Sequence, residues 1–266
     1  MEFFEPLIIG HRGSKSTVME NTLESVLHAI ELGVDAIEID VYKCFTGELI
    51  VFHDETLDRT VFKDDFYFKN VMGKKIHELQ WFHFYNSDLI NNMGRRYKIP
   101  KLIDMLKHPF VYSSDIFINI ELKDKRSHED LSNLLIELIN DGLYNDFNRF
   151  LISSVHSEPL IYLKEFQNDL EKDMKNYENL KLGKILCPES LIDNNLSLSI
   201  KSCFDIVTHL IFEKTLFTLL ESDTKLSELI KDKKIFLYTI NDKTDPILLK
   251  KGYQGIITDK PELFSV

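Results

Sequence analysis

Short apolar runs, separated by polar and turn-forming stretches, recur along the whole 266-residue chain. LIIG (7–10), AIEIDV (36–41), ELIVFH (48–53), IFINIEL (116–122) and RFLISSV (149–155) have the length and β-branched content of buried strands. LGKILC (182–187), FDIVTHL (204–210), KIFLYTI (234–240) and GIITD (255–259) read the same way. Helical periodicity fills the gaps. In ENTLESVLHAIEL (20–32), Leu23, Val26, Leu27 and Ile30 fall on one face, with Asn21 or Thr22 as the cap and Gly33 as the stop. Further helices are predicted over 128–141, 157–178 and 221–231, with a shorter one over 243–251. Alternation of this kind predicts a parallel sheet covered by helices. The chain length suits an α/β fold of the (β/α)8 TIM-barrel type, with nine strand candidates for eight places. FDIVTHL is taken as the surplus piece, following the sixth strand. The competing architecture, a doubly wound open sheet, lacks its usual support, since no GxGxxG or GxxxxGK[ST] follows a strand.

One stretch breaks the rhythm. Residues 54–100, after ELIVFH and before the helix beginning near Ile99-Pro100, carry Phe62, Phe66, Tyr67, Phe68, Trp81, Phe82, Phe84 and Tyr85. A connection of this length is an inserted subdomain or a lid. The chain is therefore expected to be one barrel domain over 1–266 with a small insertion after the third strand. The aromatics are expected to pack that insertion against the barrel mouth. The alternative is a greasy edge that touches lipids or micelles.

Charge removes one class of function. Thirty-two Lys and Arg against 43 Asp and Glu give a formal net charge of −11, which disfavours nucleic acid as a partner. The three cysteines, Cys44, Cys187 and Cys203, form no CxxC pair, which fits a reducing compartment; Cys187 and Cys203 read as small buried hydrophobes. The N-terminal MEFFEPLIIGHRG lacks the basic and apolar regions of a signal peptide, and no apolar run approaches the roughly 20 residues of a membrane span. The expectation is a soluble cytoplasmic protein without a transmembrane segment.

Polar residues gather where strands end. His11 and Arg12 follow LIIG, and His53 and Asp54 end ELIVFH. Glu38 and Asp40 lie two apart in one strand, as do Glu121 and Lys123 in another, so each pair projects to one side. In a parallel barrel the C-terminal strand ends converge on one mouth. Glu38, Asp40 and Glu121 offer hard oxygen ligands for a divalent cation, Mg²⁺ or Ca²⁺. Arg12 and Lys123 supply positive charge for non-bridging phosphate oxygens. His11 and His53 suit a general acid and base, since an imidazole side chain ordinarily changes charge near neutral pH. This is equipment for phosphodiester cleavage by charge neutralisation and proton transfer. Asp54 has two readings, orienting His53 or a metal, and capping the next turn. Asn21 likewise reads as a mouth residue or a helix cap.

The same residues carry a family resemblance that runs nearly end to end. GHRG followed by ENT resembles the HRG…PENT signature of the glycerophosphodiester phosphodiesterases, with Met19 in place of the proline. EID (38–40), FHDETLDRT (52–60), IPKLIDML (99–106), NIELK (119–123) and LISS (151–154) follow in that family's order, as do YTIN (238–241) and GIITDKP (255–261). The resemblance implies a TIM barrel that cleaves glycerophosphodiesters to glycerol 3-phosphate and an alcohol. It implies His11 and His53 as the acid–base pair, Glu38, Asp40 and Glu121 as metal ligands, and Arg12 and Lys123 as phosphate holders. The family route is thought to pass through a cyclic phosphate; attack by water is the alternative. Departures from the pattern are Cys44-Phe45-Thr46-Gly47 for T-x-D-G, Tyr238 for a tryptophan near the substrate, and Gln254 for an aspartate that would support the site. Two other functions compete: cleavage of lysophospholipids or phospholipids, and a silent barrel that binds a glycerophosphate.

Overall fold

The structure, a computed structural model, describes residues 5–62, 68–173, 180–188, 203–220, 228 and 230–265. In chain order its strands are β1 (Leu7–His11), β2 (Ala36–Lys43), β3 (Leu49–Val51), β4 (Asp88–Ile90), β5 (Arg96–Lys98), β6 (Phe117–Leu122), β7 (Phe150–Ser154), β8 (Lys181–Leu186), β9 (His209–Glu213), β10 (Lys234–Tyr238) and β11 (Gly255–Thr258). Eight of them, β1, β2 and β6 to β11, pair in parallel, and β1 closes the ring by bonding to both β2 and β11. This is the expected (β/α)8 barrel.

The surplus strand is not the one expected. β3 runs antiparallel to β2 with Val41 opposite Val51, outside the eight. The physical reason lies in the connection. Residues 44–48 turn through Gly47 at φ +99°, and so tight a link joins only antiparallel neighbours, because a parallel crossover needs a dozen residues or more. FDIVTHL belongs to the barrel, shifted along the chain: residues 203–206 form a turn, and the sixth barrel strand is His209–Glu213.

Helices cover the outside where the periodicity predicts them. α1 (Leu23–Glu31) is capped by the Thr22 hydroxyl, which accepts from Ser25 N–H, and ends at Gly33 with φ +76°. Longer helices span His128–Asn140 and Glu158–Asp173. The expected short helix near 243–251 is one 3-10 turn, Pro246–Leu249, started by the Asp245 carboxylate. The helix expected over 221–231 falls almost wholly outside the described residues.

Alternation along each strand builds two cores. Outward residues such as Ile37, Ile39, Ile118, Ile120 and Leu210 pack with Val26, Ala29, Leu131 and Leu135 of the helices. Inward residues Ile9, Ala36, Leu151, Ile185, Ile211, Phe236 and Ile257 fill the barrel. The segment 54–100 has a third core, in which Leu57, Val61, Ile76, Leu79, Phe84 and Leu89 join Met19 and Phe52. Phe84 is fully buried, and Trp81 lies against it with 6.5 Å between ring centroids. Phe82 and Tyr85 remain exposed at 54% and 64%. Phe66 and Tyr67 fall outside the described residues.

His209 is buried inside the barrel, its ring 5.0 Å from that of Phe236. Burial lowers its pKa from 6.5 to about 3, with Lys234 and Lys181 acting in the same direction. The folded state therefore keeps His209 neutral while the unfolded chain takes up a proton below about pH 6.5. The contribution is fully present above that pH and is lost progressively toward the folded pKa. Between pH 7 and 5 the expected loss is about 2 kcal/mol. Denaturant unfolding of His209→Leu at both pH values should show a stability difference smaller by that amount. An unchanged difference would contradict the assignment.

Candidate active site

The inward register that fills the barrel with apolar side chains delivers polar ones at its C-terminal mouth. Two residues beyond Ile9 comes His11, and Ala36 is followed at the same spacing by Glu38 and Asp40. Sheet register then makes neighbours: His11 pairs with Glu38 across β1 and β2, and Asp40 with Glu121 across β2 and β6. Adjacent strands lie about 4.8 Å apart, so these groups must meet. One oxygen from each of Glu38, Asp40 and Glu121 lies within 4.8 Å of the others.

The loop after β1 is bent to fit. Arg12 and Asn21 adopt φ +56° and Gly13 φ +83°. The Arg12 carbonyl accepts from Asn21 N–H at 3.1 Å and from the Ser25 hydroxyl at 2.9 Å, tying the loop to the start of α1. Asn21 is not the helix cap. Its side-chain amide donates to Asp40 Oδ2 at 2.7 Å, and its carbonyl oxygen accepts Asp40 N–H at 3.1 Å. The HRG and ENT segments thus form one structure holding Arg12 and Asp40.

Charge is balanced at short range. Arg12 Nε lies 3.2 Å from Asp40 Oδ2, and Lys123 Nζ donates to Glu121 at 2.7 Å and lies 3.5 Å from Asp40 Oδ1. Burial raises the Glu38 carboxyl well above its ordinary range, and the nearby Asp40 and Glu121 charges add to the shift. Burial would raise Asp40 too, but Lys123 and Arg12 outweigh it and hold that carboxyl low. Burial opposes the Lys123 charge, yet Glu121 and Asp40 keep its pKa above the usual value. Glu38 Oε1 and Asp40 Oδ1 are buried and accept no hydrogen bond. Buried carboxylate oxygens left this way are costly, and this trio of hard donors fits a divalent cation.

Both histidines are backed by a carboxylate. His11 Nδ1 sits 2.5 Å from Asp259 Oδ1, and His53 Nδ1 2.6 Å from Asp54 Oδ1. Burial makes each aspartate harder to ionise, but hydrogen bonds hold both below the usual range, from His11 and Asn241 for Asp259 and from His53 and Arg59 for Asp54. An ionised acceptor at Nδ1 places the proton there and leaves Nε2 for chemistry. His11 Nε2 lies 3.9 Å from Glu38 Oε2. Burial lowers the His11 pKa, with the Asp259 bond only partly offsetting it.

All seven residues expected from sequence come together at this mouth. His11, Arg12, Glu38, His53, Glu121 and Lys123 line a cavity of about 480 Å³, and Asp40 is buried against Arg12 and Lys123 of that lining. The far wall is mostly apolar, with Ile185, Ile211 and Tyr238 beside Glu213. Cys187 lines this wall half-buried, contrary to expectation; Cys203 is buried. Asp54 orients His53. Gln254 bonds Ile235 N–H at the opposite end of the barrel, so that departure does not reach the site. Asp259, not among the residues expected from sequence, follows Ile257 by the same two-residue spacing that turns Asp40 inward. Glu20, Arg59 and Asn241 sit in loops and carry no such signal.

Residues 11–263 match the Glycerophosphoryl diester phosphodiesterase family. The chain is 30% identical over 262 residues to a glycerophosphodiester phosphodiesterase of Caldanaerobacter subterraneus subsp. tengcongensis, covering 96% of this chain and 95% of that one. A Bacillus subtilis glycerophosphodiester phosphodiesterase is 25% identical over 279 residues, covering 97% and 85%. Among solved structures, an Oleispira antarctica phosphodiesterase in complex with the product sn-glycerol-3-phosphate aligns with a TM-score of 0.73 at 21% identity, covering 98% of this chain and 95% of that one. The Thermotoga maritima glycerophosphodiester phosphodiesterase aligns at 0.69 with 23% identity, covering 99% and 98%.

Gly13 is the tightest point of the loop that carries Arg12. A Cβ there would lie 2.5 Å from Ser25 Oγ and 2.6 Å from the Ser25 carbonyl carbon, at a φ that already disfavours side chains. Gly13→Ala should cost about 3 kcal/mol, combining left-handed strain with overpacking. Gly33→Ala, also at positive φ but with nothing within 4 Å, should cost only about 1 kcal/mol. Denaturant unfolding of both variants measures the difference. Equal losses would contradict the packing argument.

Proposed function

The chain belongs to the glycerophosphoryl diester phosphodiesterase family and is an enzyme of that class, and we propose that it hydrolyses glycerophosphodiesters to glycerol 3-phosphate and an alcohol with one divalent cation and a histidine pair. The observation that carries this reading is the convergence of Glu38, Asp40 and Glu121, two of their oxygens buried without a hydrogen bond, between two His–Asp pairs at one barrel mouth. We read the whole chain as one such domain, with 54–100 as its insertion. The three cysteines, which form no CxxC pair, suit a reducing cytoplasm. Among the described residues no helix is long and apolar enough to cross a membrane.

Glu38, Asp40 and Glu121 would hold Mg²⁺ or Ca²⁺, and the bound cation would neutralise phosphate charge and polarise a phosphoryl oxygen. Arg12 and Lys123 bind the non-bridging oxygens and stabilise the charge that builds in the transition state. Of the two imidazoles, one takes the proton of the attacking hydroxyl, which is water or the substrate glycerol. The other delivers a proton to the departing alcohol oxygen. Where the glycerol attacks, water then opens the cyclic phosphate with the two rings exchanging roles. Asp259 and Asp54 hold the Nδ1–H of each ring and leave Nε2 for the transfers, unprotonated in the ring that acts as base and protonated in the ring that acts as acid. The apolar wall around Ile185, Ile211 and Tyr238 excludes water from the organic part of the substrate.

The direct test is release of glycerol 3-phosphate from glycerophosphocholine, with EDTA, Mg²⁺ or Ca²⁺ as the only variable. EDTA should abolish release, and one of the two cations should restore it. His11→Ala and His53→Ala should each lower the rate about 10²-fold or more. Release that survives EDTA, or wild-type rates in either variant, would sink the reading. Silence on this substrate with activity on lysophosphatidylcholine vesicles would transfer the site to the lipid substrate.

A further inference from the structure

The inserted segment begins with an arginine that touches both halves of the site. Arg59 Nε donates to Asp54 Oδ2 at 2.5 Å and its Nη2 to Asp54 Oδ1 at 3.1 Å, a two-pronged grip. Nη2 and Nη1 also reach Glu20, at 2.5 and 3.3 Å, so the guanidinium holds a second carboxylate. Each carboxylate holds a functional side chain in turn. Asp54 Oδ1 accepts from His53 Nδ1 at 2.6 Å, and Glu20 Oε1 accepts from Arg12 Nη1 at 2.8 Å. A continuous path runs His53–Asp54–Arg59–Glu20–Arg12–Asp40, closed by the 3.2 Å contact of Arg12 with Asp40.

We propose that Arg59 is a positioning residue that fixes the direction of His53 through Asp54 and of Arg12 through Glu20, so that acid–base chemistry and phosphate binding share one anchor. The proposal rests on the acid–base role of His53 and the phosphate role of Arg12 stated above. Planarity is the reason an arginine is needed. Its five N–H donors lie in one plane and serve two carboxylates at fixed angles, whereas a lysine is a single point charge. Without the guanidinium, Asp54 keeps only its bond to His53 and is free to turn outward with the ring. Glu20 keeps only Arg12, and the loop after β1 loses its ion-pair tie to the segment 54–100 while the apolar packing of Met19 remains. The Arg59 side chain is 49% exposed, so the pair itself adds little stability. Its effect falls on geometry, where an error of about 1 Å costs on the order of 10²-fold in rate.

The two branches separate in kinetics. Asp54→Asn should lower kcat roughly 10–100-fold with little change in KM, because the ring loses its fixed acceptor. Glu20→Gln should raise KM as well as lower kcat, because the Arg12 it releases holds the phosphate in both the bound substrate and the transition state. Arg59→Ala should show both effects, and adding Asp54→Asn to it should not lower kcat much further. Added guanidinium ion should restore part of the Arg59→Ala rate, while Arg59→Lys should stay at least about fivefold below wild type in kcat and gain nothing from guanidinium. Imidazole nitrogen NMR of the protein without substrate should report the Nδ1–H tautomer for His53 in wild type and a mixture in Arg59→Ala. Melting curves accompany each variant; if Arg59→Ala does not fold, Arg59→Lys and the tautomer spectrum decide. Wild-type kcat and KM in Arg59→Lys, with an unchanged His53 spectrum and an inactive His53→Ala, would overturn the positioning role. A fully active His53→Ala would instead remove the acid–base reading on which it stands.

Discussion

Three carboxylates forced to within 4.8 Å of one another at a barrel mouth are the constraint from which the rest of this site follows. Like charges at that range repel strongly where water is excluded. The register of β1, β2 and β6 leaves them no other place, because His11, Glu38, Asp40 and Glu121 are neighbours across hydrogen-bonded strands. Two kinds of compensation surround them. Arg12 and Lys123 neutralise Asp40 and Glu121 directly, and burial, helped by the Asp40 and Glu121 charges, raises the Glu38 carboxyl well above its ordinary range. The loop strain at Arg12, Gly13 and Asn21 is a consequence, since only that bend brings the Arg12 guanidinium and the Asn21 amide onto Asp40.

The second feature is the pair of imidazoles. Each has its Nδ1 fixed by an aspartate, yet the aspartates come from different places, Asp54 beside its own histidine and Asp259 from the far end of the chain. The barrel makes this economical: closing β1 onto β11 sets the last strand beside the first and delivers Asp259 to His11. The insertion is likewise part of the site. Its core shares Met19 and Phe52 with the loops that carry the histidines, and of its described aromatics Phe84 and Tyr97 are buried there, with Trp81 packed against that core. This favours a packed insertion over a greasy edge, although Phe82 and Tyr85 remain on the surface.

Residues on strands or within two residues of a strand end were legible in the sequence, and residues deeper in the loops were not. Glu38, Asp40, Glu121 and Lys123 obey the two-residue period, and a parallel barrel converts that period into a shared mouth without further information. The same rule reaches Asp259, two past Ile257. It does not reach Glu20, Arg59 or Asn241, whose places depend on how irregular segments fold against one another. The identity of the surplus strand is not legible for a related reason. Apolar content alone gives ELIVFH and FDIVTHL equal standing, and only the length of the link at Gly47 shows that one must be an antiparallel partner. At FDIVTHL the strand moved C-terminally, because His209, Ile211 and Glu213 form the inward row and the turn before them is not part of it.

The central claim is that Glu38, Asp40 and Glu121 form a single divalent-cation site, and calorimetric titration of Mg²⁺ and of Ca²⁺ into the substrate-free protein tests it most directly. One equivalent of at least one of these ions should bind to the wild-type chain. Glu121→Gln, which removes a half-buried ligand while keeping its shape, should weaken that binding at least about tenfold, a loss near 1.4 kcal/mol. No binding of either ion to the wild type, or equal affinity in the variant, would contradict the account.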